Sequence, residues 1–295
     1  MRVFVTGATG FIGSAVVKEL IDAGHAVLGL TRSDAGAEAL ARAGAQAHRG
    51  DIYDLESLRG GAAQSDAVIH LAFNHDFSKF LENCETDRRV IEAIGEALEG
   101  SDRPFLITSG TGMASSGQGI PSTEDSPKVS SALIPRAMSE EAGAAAAARG
   151  VRVIVVRLPQ VHNTVKQGLV TYAIQVARDK GMSAYVGDGS NRWPAAHQLD
   201  VALLYRLALQ KGTAATYHAV AEEGISVKEI AEVVGYGLKV PVVSLTPEEA
   251  KGHFGWLAVF AGLDLPASSV QTRKQLGWEP TGPGMIEDLK NMRYA

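Results

Sequence analysis

With 295 residues, 45% hydrophobic and 21% charged, the chain is long enough for one large domain or two small ones around a sizeable core. Its 28 basic and 33 acidic side chains leave a formal charge of −5, which argues against a nucleic-acid or anionic-membrane partner. The single cysteine, Cys84, excludes an internal disulfide and argues against a thiolate metal site; it reads as a residue on a helix face.

No apolar run is long enough to span a bilayer, and the first residues lack the order of a secretion signal, so a cytoplasmic protein is expected. The chain opens on a strand, Arg2–Thr6, followed by the loop Gly7-Ala8-Thr9-Gly10-Phe11-Ile12-Gly13 and a helix over Gly13–Ala23. Gly7 permits the tight turn, Gly10 lets backbone approach a diphosphate, and Gly13 lets the helix pack on the strand. The free N–H groups and positive dipole end of that helix then face the phosphates. Strand, glycine turn and helix in this order predict a dinucleotide site.

The second strand, Ala26–Leu30, runs into Thr31-Arg32-Ser33. An acid at this tip would accept from a ribose 2′-hydroxyl, whereas Arg32 offers a planar donor fork to a 2′-phosphate. NADP(H) is therefore expected over NAD(H). Asp51-Ile52 resembles the acid-plus-apolar pair that brackets an adenine. Further strands at Ala67–Leu71, Pro104–Thr108 and Val151–Leu158 alternate with helices at Glu85–Leu98 and Ser139–Ala148, which predicts βαβ units and a parallel sheet. Leu71-Ala72-Phe73, where the next strand ends, is expected to pass the adenosine ribose as a further cofactor contact.

Ser226-Val227-Lys228-Glu229 and Thr246-Pro247-Glu248-Glu249 read as capping boxes opening two later helices. The tail around Leu276-Gly277-Trp278-Glu279-Pro280 reads as loops, with a last helix near Met285–Asn291. The histidines are too scattered to form a ligand set, so no metal is expected.

The run from Thr6 to Gly13 resembles the signature of the extended short-chain dehydrogenases/reductases, the NAD-dependent epimerase/dehydratase family. His70-Leu71-Ala72, Thr108-Ser109, Arg157-Leu158-Pro159, Gly187-Asp188-Gly189 through Arg192 with His197 and Asp200-Val201-Ala202, and Leu276–Pro280 extend the likeness. It implies an α/β fold: a doubly wound parallel-sheet Rossmann domain (1–162 plus 198–221) with a smaller C-terminal substrate domain (163–197 plus 222–295). It also implies cofactor contacts at Thr108 and Leu158-Pro159, and a homodimer through the helices Glu85–Leu98 and Ser139–Ala148, with a monomer as the alternative.

The family's Tyr-x-x-x-Lys is missing: Pro135 takes the Tyr place and Ser139 the Lys place. The expected catalytic set is then Ser109, retained after the fifth strand, Arg136 beside the missing Tyr, and His162 facing the nicotinamide. His75, Tyr172 and Tyr185 stand behind these, while His197, Arg192 and Trp193 fall where the family lines its substrate cleft. His253 to Phe260 is expected as substrate-domain core or as an apolar lid. The expected function is NADP(H)-dependent hydride transfer with a small carbonyl or alcohol substrate. The alternatives are an inactive NADP(H)-binding sensor or interaction protein, and a nucleotide-sugar epimerase or dehydratase.

Overall fold

The computed structural model describes residues 1–294. It begins with β1 (Arg2–Thr6), α1 (Phe11–Asp22), β2 (Ala26–Thr31), α2 (Asp34–Arg42), β3 (Gln46–Arg49), α3 (Leu55–Ala63) and β4 (Ala67–His70). There follow α4 (Phe80–Leu98), β5 (Phe105–Gly110), α5 (Met138–Ala148), β6 (Val153–Leu158), β7 (Gln160–His162), α6 (Val170–Lys180), β8 (Ser183–Val186) and β9 (Arg192–His197). The chain ends with α7 (Gln198–Lys211), β10 (Thr216–His218), β11 (Glu222–Ser226), α8 (Val227–Leu238), β12 (Val242–Leu245), α9 (Pro247–Phe254), α10 (Ala258–Ala261), α11 (Val270–Leu276) and α12 (Met285–Asn291).

Seven strands form one parallel sheet in the order β10-β6-β5-β4-β1-β2-β3. Alternation along each strand divides the core between its two faces. Val3, Val5, Ile69, Leu106 and Ile154 pack with α1 and α7, whereas Phe4, Val68, Phe105, Ile107 and Val153 pack with α3, α4 and α5. This is the doubly wound Rossmann arrangement. The order reverses between β1 and β4, and a crevice outside the strand ends at such a switch point is where ligands bind in open α/β sheets.

The small residues of α5 let it lie close to the sheet: a Cβ on Gly143 would stand 2.4 Å from Ile107 Cδ1. A second lobe carries the sheets β11-β9-β7 and β12-β8. Its apolar clusters centre on Val170, Ile174, Trp193, Ile230 and Leu289, and on Ala250, Phe254 and Leu257. Among the described residues no helix is long and apolar enough to cross a membrane, and no three His, Cys, Asp or Glu side chains converge as a metal site.

Candidate functional site

At the switch point β1 hands over to a loop that only glycine closes. Gly7 has φ +65°, and a Cβ there would lie 2.8 Å from Ala72 N at the end of β4. Gly10 N donates to Gly7 O at 2.9 Å, and a Cβ on Gly13 would come within 2.0 Å of that same oxygen. Thr6 Oγ1 accepts from Leu71 N and Ala72 N, each at 3.2 Å, and so pins the two strand ends together. Gly10 gives α1 no side-chain cap and the first turn carries no acid. The first-turn N–H groups of Phe11, Ile12 and Gly13, with the dipole behind them, therefore remain for an anion. Thr9 and Gly10 are exposed at the mouth. A backbone cradle that a Cβ would fill, ending in unpartnered N–H donors, fits a dinucleotide diphosphate.

On the far side, Thr31 is buried and Ser33 is spent capping α2, its Oγ accepting from Gly36 N at 3.1 Å. Arg32 reaches into solvent, its side chain 80% exposed and 3.7 Å from Asp51 Oδ2. Asp51 Oδ1 accepts from Tyr53 N at 3.1 Å, and Ile52 packs partly against the core beneath β2. Arg49 pairs with Asp34, so that acid is occupied.

Beyond the switch point lies a buried polar network centred on Asp87. Thr6 Oγ1 already accepts two N–H groups, so its proton goes to His70 Nδ1 at 2.6 Å, which leaves Nε2–H to donate to Asp87 Oδ1 at 2.9 Å. Asp87 Oδ2 accepts from Arg136 Nη1 at 2.8 Å and from the Ser139 hydroxyl. Burial alone would raise the Asp87 carboxyl, but Arg136, His70 and Ser139 together hold it down at about 2. Arg136 also donates to Ser139 Oγ and, from Nη2 at 2.9 Å, to Thr108 O. Its guanidinium lies 4.3 Å above the Phe73 ring. Thr108 Oγ1 donates to His70 O at 2.7 Å and accepts from the Tyr205 hydroxyl at 2.7 Å. Pro135 opens a 3₁₀ turn ahead of α5, and Ser139 is fully buried. The helix position expected to carry a lysine holds a hydroxyl sealed under Arg136.

The sequence pointed to Arg136 but not to Asp87. Its signal was an acid inside the apolar stripe Asn83, Asp87, Val90, Ile91, Ile94 and Leu98, all buried. Two other expected catalytic residues need correction. Ser109 is only 4% exposed and faces α5, because alternation along β5 sends Thr108 toward α7. Its hydroxyl donates to Glu140 Oε1 at 2.7 Å, and Arg157 clamps both oxygens of Glu140 at 2.8 Å. Burial opposes ionisation of Glu140, yet Arg157 and Ser109 bring its carboxyl below the ordinary range. His162 is fully enclosed. After Pro159 the chain leaves the main sheet for β7, and the imidazole turns under α12 with Nδ1 2.6 Å from Asp288 Oδ2. Trp193 is second-lobe core, and Arg192 is held by Asp264 at 2.8 Å. Burial raises the Cys84 thiol to about 11, so it stays protonated.

Aromatic side chains join the lobes. Phe77, beyond β4, stacks on Trp256, beyond α9, with ring centres 4.1 Å apart and planes 10° apart. Tyr172 meets both edge-on at 5.7 and 5.1 Å, and Phe260 closes the cluster. Within the segment around Trp256, Phe254 and Leu257 are second-lobe core, while Trp256 joins the aromatic cluster. His75 stands edge-on to Phe73 at 5.3 Å. Partial burial, with Lys166 and Arg136 facing it, lowers its basicity. Burial raises the Tyr172 hydroxyl.

This geometry has relatives. The chain is 49% identical over 296 residues to "Uncharacterized protein C2A9.02" of Schizosaccharomyces pombe and 45% identical over 294 residues to "Uncharacterized protein YLL056C" of Saccharomyces cerevisiae. The alignments cover 100% of both chains in the first case and 98% of both in the second. A crystal structure of the dTDP-glucose 4,6-dehydratase DesIV of Streptomyces venezuelae, with NAD and TYD bound, shares the fold with a TM-score of 0.79 at 21% identity, covering 99% of this chain and 95% of that one. The sequence pattern described as "NAD dependent epimerase/dehydratase family" matches residues 3–220, the stretch that builds the crevice and nearly all of the seven-stranded sheet. The chain therefore belongs to the NAD-dependent epimerase/dehydratase family, the extended short-chain dehydrogenases/reductases, a family of NAD(P)-dependent oxidoreductase-type enzymes.

Proposed function

We propose that the protein is an NADP(H)-dependent oxidoreductase that moves a hydride to or from a small carbonyl or alcohol substrate beneath the aromatic lid. When bound, the nicotinamide coenzyme supplies or takes the hydride. The observation that carries the reading is the fixed guanidinium of Arg136. Three of its five N–H groups are engaged by Asp87, Ser139 and Thr108. Two remain at a side chain 15% exposed beside Phe73, a preset donor for a ribose or substrate oxygen.

Proton movement falls to groups the crevice can reach. His75, kept neutral by its surroundings, accepts the hydroxyl proton of an alcohol as the hydride leaves, and returns it in the reverse direction. Tyr172 is the second candidate donor.

Arg32 supports the preference for NADP(H): its side chain is 80% exposed and only loosely paired with Asp51 at 3.7 Å, within reach of a 2′-phosphate. The test is calorimetric titration with NADPH and NADH, repeated on Arg32→Ala. NADPH affinity is expected to fall about tenfold in the variant with NADH unchanged, the scale of one charge-assisted contact. Wild-type preference for NADH would sink the assignment.

The enclosure of Ser109 and His162 favours one other reading, an NADP(H)-binding sensor without turnover. Consumption of NADPH with any member of a carbonyl panel, lost in His75→Asn or Arg136→Met, separates the two.

A further inference from the structure

We propose that Lys166 is a phosphate-binding cation of the coenzyme groove, contributed by the second lobe. The inference rests on the reading of the groove as a dinucleotide site.

Lys166 lies in the loop between β7 and α6, outside every family-like motif of the sequence. Its Nζ stands 5.8 Å from the centre of the Phe11 ring, the first residue of α1, and it is exposed with no carboxylate in ion-pair reach among the described residues. It also faces His75, in the loop beyond β4, closely enough to oppose protonation there. Phe11 and His75 flank the groove on either side of the β1–β4 switch point. A cation placed against both stands over the path of the diphosphate and its adjoining ribose.

The placement is built. Gln198 Nε2 donates to Phe11 O, on the glycine loop itself. Gln198 Oε1 accepts from Asn163 Nδ2 at 2.7 Å. Asn163 Oδ1 in turn accepts from Val165 N at 2.7 Å and Lys166 N at 3.0 Å, and Asn163 N donates to Lys166 O at 2.9 Å. Buried Gln167 locks the next residue by donating to Asn163 O at 2.8 Å. A continuous hydrogen-bonded chain thus ties the backbone of Lys166 to the phosphate loop. The ammonium it delivers is left unpaired. Nature of the ligand follows: a diphosphate, recognised by charge and without regard to a 2′-phosphate.

The test compares wild type, Lys166→Ala, Lys166→Arg and Arg32→Ala, titrated by calorimetry with NADPH and NADH. A melting curve for each confirms folding. Lys166→Ala is expected to weaken both coenzymes by the same factor, about tenfold for one charge-assisted phosphate contact, with Lys166→Arg restoring most of the loss. A second readout needs no variant: saturating NADPH or NADH should protect Lys166 from pyridoxal 5′-phosphate and borohydride, followed by peptide mass mapping. Unchanged affinities in Lys166→Ala overturn the proposal. So does a loss confined to NADPH, which would place Lys166 at the 2′-phosphate. If the wild type binds neither coenzyme, the dinucleotide reading itself falls, and Lys166 with it.

Discussion

His218 shows how narrowly one side chain can be specified. It is fully buried at the end of β10, where Nδ1–H donates to Ser268 O at 3.0 Å and Nε2 accepts from Arg157 at 3.3 Å. Only the neutral ring satisfies both partners. Burial first, and the facing Arg157, push its pKa down to about 4 against the pull of Glu124. An unfolded chain takes up that proton near pH 6.5 and the folded one near pH 4, so stability is intact above pH 6.5 and declines as the pH falls between these values. The loss should reach about 3 kcal/mol at most. Urea unfolding at pH 7 and pH 5 should show the drop, and His218→Gln, which keeps a donor and an acceptor, should flatten it. A slope unchanged in the variant would assign the acid sensitivity elsewhere.

Residues of this kind mark the limit of what the sequence discloses. The glycine loop was legible because its tight turn and close helix approach follow from local chain geometry. Ser109 and His162 were misplaced because strand register decides which face a side chain takes, and register emerges only once Pro159 has turned the chain out of the main sheet. Asp87 and Glu140 were missed because an acid in a helix reads as solvated until its partners, 49 and 17 residues away, are known.

Elements with strong local signals formed where their residues predicted. The Thr246–Glu249 capping box closes with both reciprocal bonds, and the last helix occupies Met285–Asn291. At Ser226 only the forward bond, from Glu229 N at 3.4 Å, accompanies the pattern. The polar strand β3, Gln-Ala-His-Arg, gave no apolar run to find; it sits at a sheet edge, where a short polar strand discourages pairing with another chain. α4 begins at Phe80, five residues before the expected Glu85, because the polar residues Asn83 and Asp87 disguise its buried face.

The α1 element hangs on Gly13. Gly13→Ala places a methyl against the Gly7 carbonyl, an atom of backbone that cannot swing aside. The expected outcome is a destabilisation of about 1–3 kcal/mol in denaturant titration, as for an overpacked core, with coenzyme binding lost at the same time. Retained binding would show that the loop tolerates a wider turn.

At the scale of the whole molecule, the stack of Phe77 on Trp256 is one direct clasp between the lobes. Trp193 and Trp278 are buried while Trp256 is 40% exposed, so acrylamide quenching of indole fluorescence reports chiefly on Trp256. Phe77→Ala should raise the quenchable fraction and remove about 1 kcal/mol of aromatic pairing. No change in quenching would mean that Tyr172 and Phe260 hold the lid unaided.

The two lobes are laced together rather than strung in series. The chain leaves the main sheet after β6, returns in α7 and β10, departs again in β11, and comes back in the tail to bury Trp278 beside α1 and α7 before ending against the second lobe in α12. Trp278 Nε1 donates to Asp200 O at 2.9 Å, so a residue near the chain's end fastens the start of α7. The edge of the Rossmann sheet at β6 therefore stays open during synthesis until more than fifty further residues, second-lobe strands among them, have emerged. Assembly of the coenzyme domain waits on its neighbour, which makes this a fold that cannot be harvested by cutting the gene in two.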